Sequence, residues 1–273
     1  MRLTKKDILI ILGVFVILLV SGIGSWLWIG ASALMVVLIM SSVLMLAAVF
    51  EVYRRLVIET DRLKRYSQRI EPLLSLFFTI RPQLPLPEIG KWATPPDFLK
   101  KLLEITYRNS PELVVETGSG VSTLILAYCL KQIGKGKVIT LDHDAKYAAI
   151  SQDLIAFHGL EEFATVVYAP LIDYEINGEK WLWYDTSHLQ FDKPIDLLVV
   201  DGPPGYLQKL ARYPALPLLY KQLSSDVIVM VDDGARKDEK EMVERWKKDF
   251  HDFTQEFLDL EKGAFLLYKH KQG

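Results

Sequence analysis

The sequence predicts an α/β protein, a doubly wound parallel-sheet domain preceded by an α-helical membrane hairpin. Three observations predict it. From Ile8 to Phe50 there are 43 consecutive residues without Asp, Glu, Lys or Arg. From about Trp92 onward, short unbroken apolar runs alternate with segments of helical length and pattern. Several of those runs end in turns that carry glycine and aspartate, as at Glu116-Thr117-Gly118-Ser119-Gly120 and Asp201-Gly202-Pro203-Pro204-Gly205.

The uncharged run comes first. As one helix it would be roughly 64 Å long, about twice a hydrocarbon core of about 30 Å, so two spans fit better than one. Gly22, Gly24, Ser25, Gly30 and Ser32 mark the reversal, with Trp26 and Trp28 suited to the interface. The spans are then Ile8 to about Ile23, and Ala31 to Phe50. Arg2, Lys5 and Lys6 precede the first, and Arg54, Arg55, Lys64 and Arg65 follow the second. By the positive-inside rule, both termini and the globular part face the cytoplasm. The competing reading is a cleaved signal peptide cut near Ser21 to Ser25, which leaves the resumed apolar run still needing a span.

Glu51 to Ile80 is charged and helix-prone, with Leu56, Leu63, Ile70, Leu73 and Leu74 near helical spacing, and reads as a juxtamembrane helix. Arg81 to Pro87, with three prolines, is the best boundary. The expected organisation is a hairpin over 1–50, a juxtamembrane helix and linker over 51–90 and a globular domain over 91–273. In that domain Thr94-Pro95-Pro96-Asp97 predicts a helix start capped by Thr94. Strands are predicted at Leu113 to Val115, Val138 to Leu141, Thr165 to Tyr168, Ile195 to Val200 and Val227 to Val231, unbroken because both faces would be covered. Helices fill Val121 to Ile133 and Ala145 to His158, the second capped by Asp144 and stopped by Gly159. Phe253 to Leu260 and Ala264 to His270 predict a terminal antiparallel hairpin.

Composition excludes other classes. A chain of 273 residues, 50% hydrophobic and 24% charged, can bury a full core, which excludes disorder. A net charge of −2 argues against a nucleic-acid binder, and the single cysteine, Cys129, excludes an intramolecular disulfide and a zinc cluster.

Open α/β sheets bind ligands outside the carboxyl ends of their strands, and the first end here is the turn Gly118-Ser119-Gly120 leading into a helix. Asp142 ends the next strand, where a carboxylate can accept ribose hydroxyls. Two nucleotide-type ligands compete. A dinucleotide turn would prefer a third glycine where Thr123 stands, and Glu116 would repel a pyrophosphate. A carboxylate there suits instead a ligand with a cationic amine and sulfonium, as S-adenosyl-L-methionine has.

Val115-Glu116-Thr117-Gly118-Ser119-Gly120-Val121-Ser122-Thr123, Leu141-Asp142-His143-Asp144, Val200-Asp201-Gly202-Pro203-Pro204-Gly205 and Val231-Asp232-Asp233 together resemble the ordered motifs of class I S-adenosylmethionine-dependent methyltransferases. The closest resemblance is to the bacterial and archaeal branch with Gly-Ser-Gly-Val-Ser-Thr and Asp-Gly-Pro-Pro-Gly motifs. It covers about Trp92 to Tyr268 and leaves the hairpin outside. It implies a Rossmann-like sheet of seven strands, the last antiparallel. It also implies that Glu116, Gly118, Ser119 and Gly120, with Ser122 beside them, meet the methionine end of the cofactor and that Asp142 meets the ribose. The adenine-holding acid of the family is replaced by Ala169-Pro170-Leu171; backbone amides with His143 or Leu171 are the substitutes, His143 being equally well read as a solvent-facing loop residue.

In the metal-dependent catechol-type group of that family, carboxylates at the positions of Asp201, Asp232 and Asp233 hold Mg²⁺. Here the reading favours no metal, since Pro203 and Pro204 stand where that group places a lysine, and Asp232 or Asp233 can instead cap a helix or bind Arg236. Without metal, a hydroxyl acceptor needs a base, with Asp201 the first candidate, Asp232 the second and His188 the third. Trp181, Trp183 and Tyr184 either wall an acceptor pocket or pack as core or lid, and Arg212 either positions an anionic substrate or pairs with a surface acid. The expected activity is O-methyl transfer to a small or lipid-linked acceptor at the bilayer. A non-catalytic membrane scaffold and a nicotinamide-dependent oxidoreductase are the alternatives.

Overall fold

The computed structural model describes residue 13 and residues 15–24, 31–87 and 94–269, which divide into two compact units between Ser67 and Gln68. In the first unit, Phe15–Gly24 forms a short apolar helix, α1. The remainder of the expected first span and the reversal at 25–30 lie outside the described residues. Helix α2 runs unbroken through the 50 residues Ala31–Ile80. The expected second span and juxtamembrane helix are therefore one element, because no breaker separates Phe50 from Glu51 and the residues on either side favour helix. Among the described residues, only Met35–Ile80 is long and apolar enough to cross a membrane, with mean hydropathy 2.4 in a window of which none is buried. Within that window the Ser41 and Ser42 hydroxyls donate to the Leu38 carbonyl at 2.9 and 2.8 Å, so their polarity is satisfied inside the helix.

The second unit begins at Gln68 and so contains the last turns of α2 and the proline-rich stretch after it. Leu76 and Ile80 are fully buried beside Phe98, Leu99 and Leu102 of α3 (Pro96–Asn109). Lys100 pairs with Glu71 at 2.8 Å, and Gln132 caps the helix by donating to the Ile80 carbonyl at 2.7 Å. The cap expected at Thr94 is corrected. Pro95 is the N-cap of α3 without a side-chain bond, since two consecutive prolines already set the dihedral angles of a helix start.

Seven strands form one sheet in the order β3-β2-β1-β6-β7-β9-β8. These are β1 (Leu113–Thr117), β2 (Lys137–Asp142), β3 (Ala164–Tyr168), β6 (Ile195–Val200), β7 (Leu223–Val231), β8 (Phe253–Leu258) and β9 (Ala264–Lys269). The first five are parallel, and β9 inserts antiparallel between β7 and β8. A separate antiparallel hairpin, β4 (Leu171–Ile176) and β5 (Glu179–Tyr184), stands between β3 and β6 in sequence. The sequence reading took that stretch for an aromatic group without assigning it strands, because its alternation is masked by charges at Asp173, Glu175, Glu179 and Lys180.

The unbroken apolar strands serve two cores. Successive side chains point to opposite faces. Val114, Leu197, Val199 and Met230 thus join α3, α4 (Val121–Ile133) and α5 (Ala145–Phe157) on one side. Val115, Leu198, Val200 and Val231 join the β4–β5 aromatics, α6 (Ala215–Leu219) and α7 (Lys237–Asp249) on the other. Asp144 caps α5 as expected, accepting from the amides of Lys146 and Tyr147 at 2.8 and 3.2 Å. The chain leaves β1 first toward β2 and later returns to β6 on its other side, which puts the switch point of the sheet at the carboxyl ends of β1 and β6.

Candidate active site

The strand ends at the switch point are laced together by backbone. The amide of Gly118 donates to the Leu141 carbonyl at 2.8 Å, that of Asp201 to Thr117 at 3.1 Å and that of Asp232 to Val200 at 3.1 Å. The Thr117 hydroxyl donates to the Gly202 carbonyl at 3.1 Å. These bonds hold Gly118, Asp142, Asp201 and Asp232 on neighbouring strands at one edge of the sheet. Gly118 has φ of +92°, a region open to glycine at little cost, and a Cβ there would meet the Asp201 carbonyl at 3.4 Å.

Glu116 lies under this turn with no solvent exposure. Thr123, on the first turn of α4, donates its hydroxyl to Glu116 Oε2 at 2.5 Å while accepting from the Gly120 amide at 3.1 Å. The residue that replaces the third glycine of a dinucleotide turn thus ties strand, turn and helix together and holds one carboxylate oxygen. Sequence reasoning treated Thr123 only as a missing glycine; its place three residues after the helix cap was the available signal. Glu116 Oε1 is buried and makes no hydrogen bond of ordinary geometry. Burial pushes this carboxyl up to about 7, against the Ser122, Thr123 and Thr140 hydroxyls, which favour its charged form. A buried carboxylate with a free oxygen suits a cationic partner and disfavours a phosphate.

At the end of β2, Asp142 Oδ2 accepts from the Ser119 hydroxyl at 2.5 Å and the Ser119 amide at 3.2 Å, and Oδ1 accepts from the Asp144 amide at 3.0 Å. Ser119 Oγ also lies 2.8 Å from Ser151 Oγ on α5. Ser119, expected at the methionine end of the cofactor, and Asp142, expected at its ribose, are therefore in direct contact. His143 stands beside them, a quarter of its side chain accessible, with its ring edge-on to Tyr184 at 6.1 Å between centroids.

The aromatic trio divides by depth. Trp181 and Trp183 are core residues, Trp181 packing on Tyr213 at 4.7 Å. Tyr184 is fully buried, but its hydroxyl lacks a partner and lies over the strand ends: a Cβ on Gly202 would come within 2.2 Å of it and 3.2 Å of the Gly118 amide. Tyr184 therefore covers the ends of β1, β2 and β6, which sequence reading could not separate from packing. His188, the third base candidate, is exposed in the turn after β5, and no contact draws it to the cluster.

The second half of the site is acidic. Asp201, Asp232 and Asp233 offer carboxylate oxygens within 4.8 Å of one another. Asp233 adopts φ of +60°, which aspartate tolerates better than most residues, and its amide donates to Asp232 Oδ1 at 2.7 Å. This turn points consecutive carboxylates into one cluster. Arg212 enters it from the segment before α6. Its Nη2 donates to Asp201 Oδ1 at 3.1 Å and to Asp233 Oδ2 at 2.8 Å, and its Nη1 donates to the Asp232 carbonyl at 2.9 Å. The pairing expected with a surface acid is replaced by a buried network, because Tyr213 anchors the segment to α7: Trp246 donates to its carbonyl at 2.9 Å, and its hydroxyl donates to Asp249 at 2.6 Å. Arg236 meets Asp233 at 2.9 Å, as the sequence reading allowed.

The charges shape protonation. Burial pushes Asp232 up to about 8, and the charges of Asp201 and Asp233 add to it. Burial raises Asp201 as well, with Arg212 opposing. A quarter of the Asp201 side chain remains accessible, whereas Asp233 and Arg212 are each 5% exposed, so Asp201 is the one that can meet a ligand. Its Oδ2 faces the Thr94 hydroxyl at 3.4 Å, the position that left Thr94 out of the helix cap.

A divalent ion fits this cluster poorly. Mg²⁺ requires oxygen ligands at about 2.0–2.1 Å in octahedral array, yet Nη2 of Arg212 already sits between two of the three carboxylates.

Comparisons with known proteins agree with this architecture. Residues 115–234 match the family model described as a methyltransferase domain. A search of curated proteins finds no match. Among solved structures, the SAH-bound methyltransferase PaMTH1 of Podospora anserina is 14% identical, covering 77% of this chain and 94% of that one, with a TM-score of 0.55. A methyltransferase from Geobacter sulfurreducens is 14% identical, covering 77% and 97%, with a TM-score of 0.51. The cofactor-bound protein Rv0187 from MTB is 17% identical, covering 74% and 91%, with a TM-score of 0.51. The globular unit has the Rossmann-like methyltransferase fold.

Proposed function

We propose that this chain is an S-adenosylmethionine-dependent methyltransferase, anchored in a membrane by its N-terminal helices, that transfers methyl to an oxygen of a small or lipid-linked acceptor at the cytoplasmic face. The observation that carries the reading is Glu116, a fully buried carboxylate with an unpartnered oxygen under the turn at the switch point. A nicotinamide dinucleotide would bring a diphosphate to that carboxylate; the amine of S-adenosylmethionine would bring the opposite charge. The binding of SAH by a protein of the same fold supports the choice.

When bound, the cofactor supplies an electrophilic methyl on sulfonium. The residues of the chain do the rest. Glu116 takes the ammonium group, and the Gly118–Gly120 turn admits the methionine end. Asp142, bonded here by Ser119, would meet the ribose hydroxyls, beside the unpartnered hydroxyl of Tyr184 at the strand ends. Asp201, accessible beside Arg212, accepts the proton of the acceptor hydroxyl as the oxygen attacks in line. Asp232, the second candidate base, lies buried beside it in the same cluster.

The apolar, unburied window of α2 supports one span, and the length of the uncharged run with basic residues on either side is the ground for proposing a second and for placing both termini in the cytoplasm. An anchored domain meets bilayer-borne acceptors at raised local concentration. The test is transfer of labelled methyl from S-adenosylmethionine into soluble metabolites and into alkali-washed membranes carrying the protein. Label is expected in an organic-extractable or small-molecule product, with the rate changed by less than about twofold by EDTA or added Mg²⁺. SAH binding without transfer to any fraction would instead indicate a scaffold, and binding of a nicotinamide dinucleotide in place of SAH would defeat the reading.

Asp142→Ala is expected to weaken SAH binding by about ten- to a hundredfold, the cost of two lost charge-assisted hydrogen bonds, with unchanged circular dichroism. Calorimetric affinity equal to that of the parent protein would remove Asp142 from the ribose site.

A further inference from the structure

We infer that the guanidinium of Arg212 is the resident cation of the Asp201–Asp232–Asp233 cluster, occupying the place where such carboxylates would otherwise hold a divalent metal, so that the site accepts a lone hydroxyl rather than a chelating pair. The inference deepens the methyltransferase reading and rests on it for the acceptor; the cation assignment stands on geometry alone.

The geometry is that of a built site. Arg212 is buried, and its two terminal nitrogens reach Asp201, Asp233 and the Asp232 carbonyl at 2.8 to 3.1 Å, with Glu239 at 3.6 Å. Nη2 takes Asp201 Oδ1 and Asp233 Oδ2, one oxygen from each of two of the three carboxylates between which a metal would have to sit. Arginine also keeps its charge in proteins, so it cannot vacate the cluster by losing a proton as a lysine can. Burial works against its charge, but the surrounding Asp201, Asp233 and Glu239 outweigh this and hold it protonated. Arg236 supplies a second positive charge at the rim, 2.9 Å from Asp233. The buried acids are thus countered by the chain itself. A metal activates a diol by binding both oxygens at once; this guanidinium commits its terminal nitrogens to Asp201, Asp233 and the Asp232 carbonyl, and its Nε is buried without an acceptor, so it gives no such advantage to a second hydroxyl and leaves Asp201 to act on one.

The test is Mn²⁺ titration of the full-length protein in detergent, followed by electron paramagnetic resonance, with SAH affinity measured in parallel. The parent protein is expected to take up no Mn²⁺ at the cluster. Arg212→Ala is expected to bind about one Mn²⁺ per chain, roughly tenfold or more tightly than any site of the parent, and Asp233→Asn in that background is expected to abolish it. A merely structural arginine would not create a metal site on removal. A parent-protein Mn²⁺ site lost in Asp233→Asn would overturn the inference, and so would a folded Arg212→Ala protein that gains no site. Should Arg212→Ala not fold, Arg212→Gln takes its place with the same two outcomes, and should neither fold, the parent titration decides: uptake at the cluster overturns the inference and none supports it. Loss of SAH binding by the parent protein would sink the methyltransferase reading while leaving the Mn²⁺ result intact.

Discussion

Asp201→Asn is expected to lower methyl transfer by about 10²- to 10⁴-fold, the usual contribution of a positioned general base, while SAH affinity stays within about threefold. The amide keeps the size of the side chain and one oxygen for Arg212 but cannot take a proton. Arg212 retains Asp233 at 2.8 Å and the Asp232 carbonyl at 2.9 Å, so the cluster is expected to hold its form. Single-turnover rates with bound S-adenosylmethionine separate this effect from binding. A rate equal to that of the parent would acquit Asp201 and pass the role to Asp232, whose carboxyl burial pushes up to about 8.

Glu116→Gln is expected to weaken SAH by about ten- to a hundredfold and to flatten the pH dependence of binding. The sign follows from the raised carboxyl. With its pKa in the free protein near 7, Glu116 is protonated below neutrality and must ionise before it can pair with an ammonium group. Affinity in the parent protein should therefore fall about fivefold between pH 7 and pH 6 and level off above pH 8. Calorimetry from pH 5.5 to 8.5 checks both. A flat profile in the parent would place the amine elsewhere, and a steep profile surviving in Glu116→Gln would assign the titration to another group.

Much of the fold was legible because two periodicities were clean. Unbroken apolar runs such as Val227–Val231 are what strands covered on both faces require, and the helix between Asp144 and Gly159 is bracketed by its own cap and stop. The β4–β5 hairpin was not legible, since its charges hide the alternation and its burial comes from α7 and the segment around Tyr213, distant in sequence. Thr94 shows the same limit in small: a capping pattern predicts a local bond, and the side chain turns to Asp201, 107 residues away.

What the amino-acid order determined by itself was local: an uncharged run long enough for lipid, a helix-prone charged stretch after Glu51, and acids and glycines placed at strand ends where a ligand is met. Only the tertiary structure decided which charges face one another. Glu116 without a partner for one oxygen, Tyr184 over Gly202 and Arg212 among the carboxylates of Asp201 and Asp233 are each consequences of packing between elements far apart in the chain. Electrostatic pairing depends on distance and desolvation in space, and neither is written in the spacing of residues along a sequence.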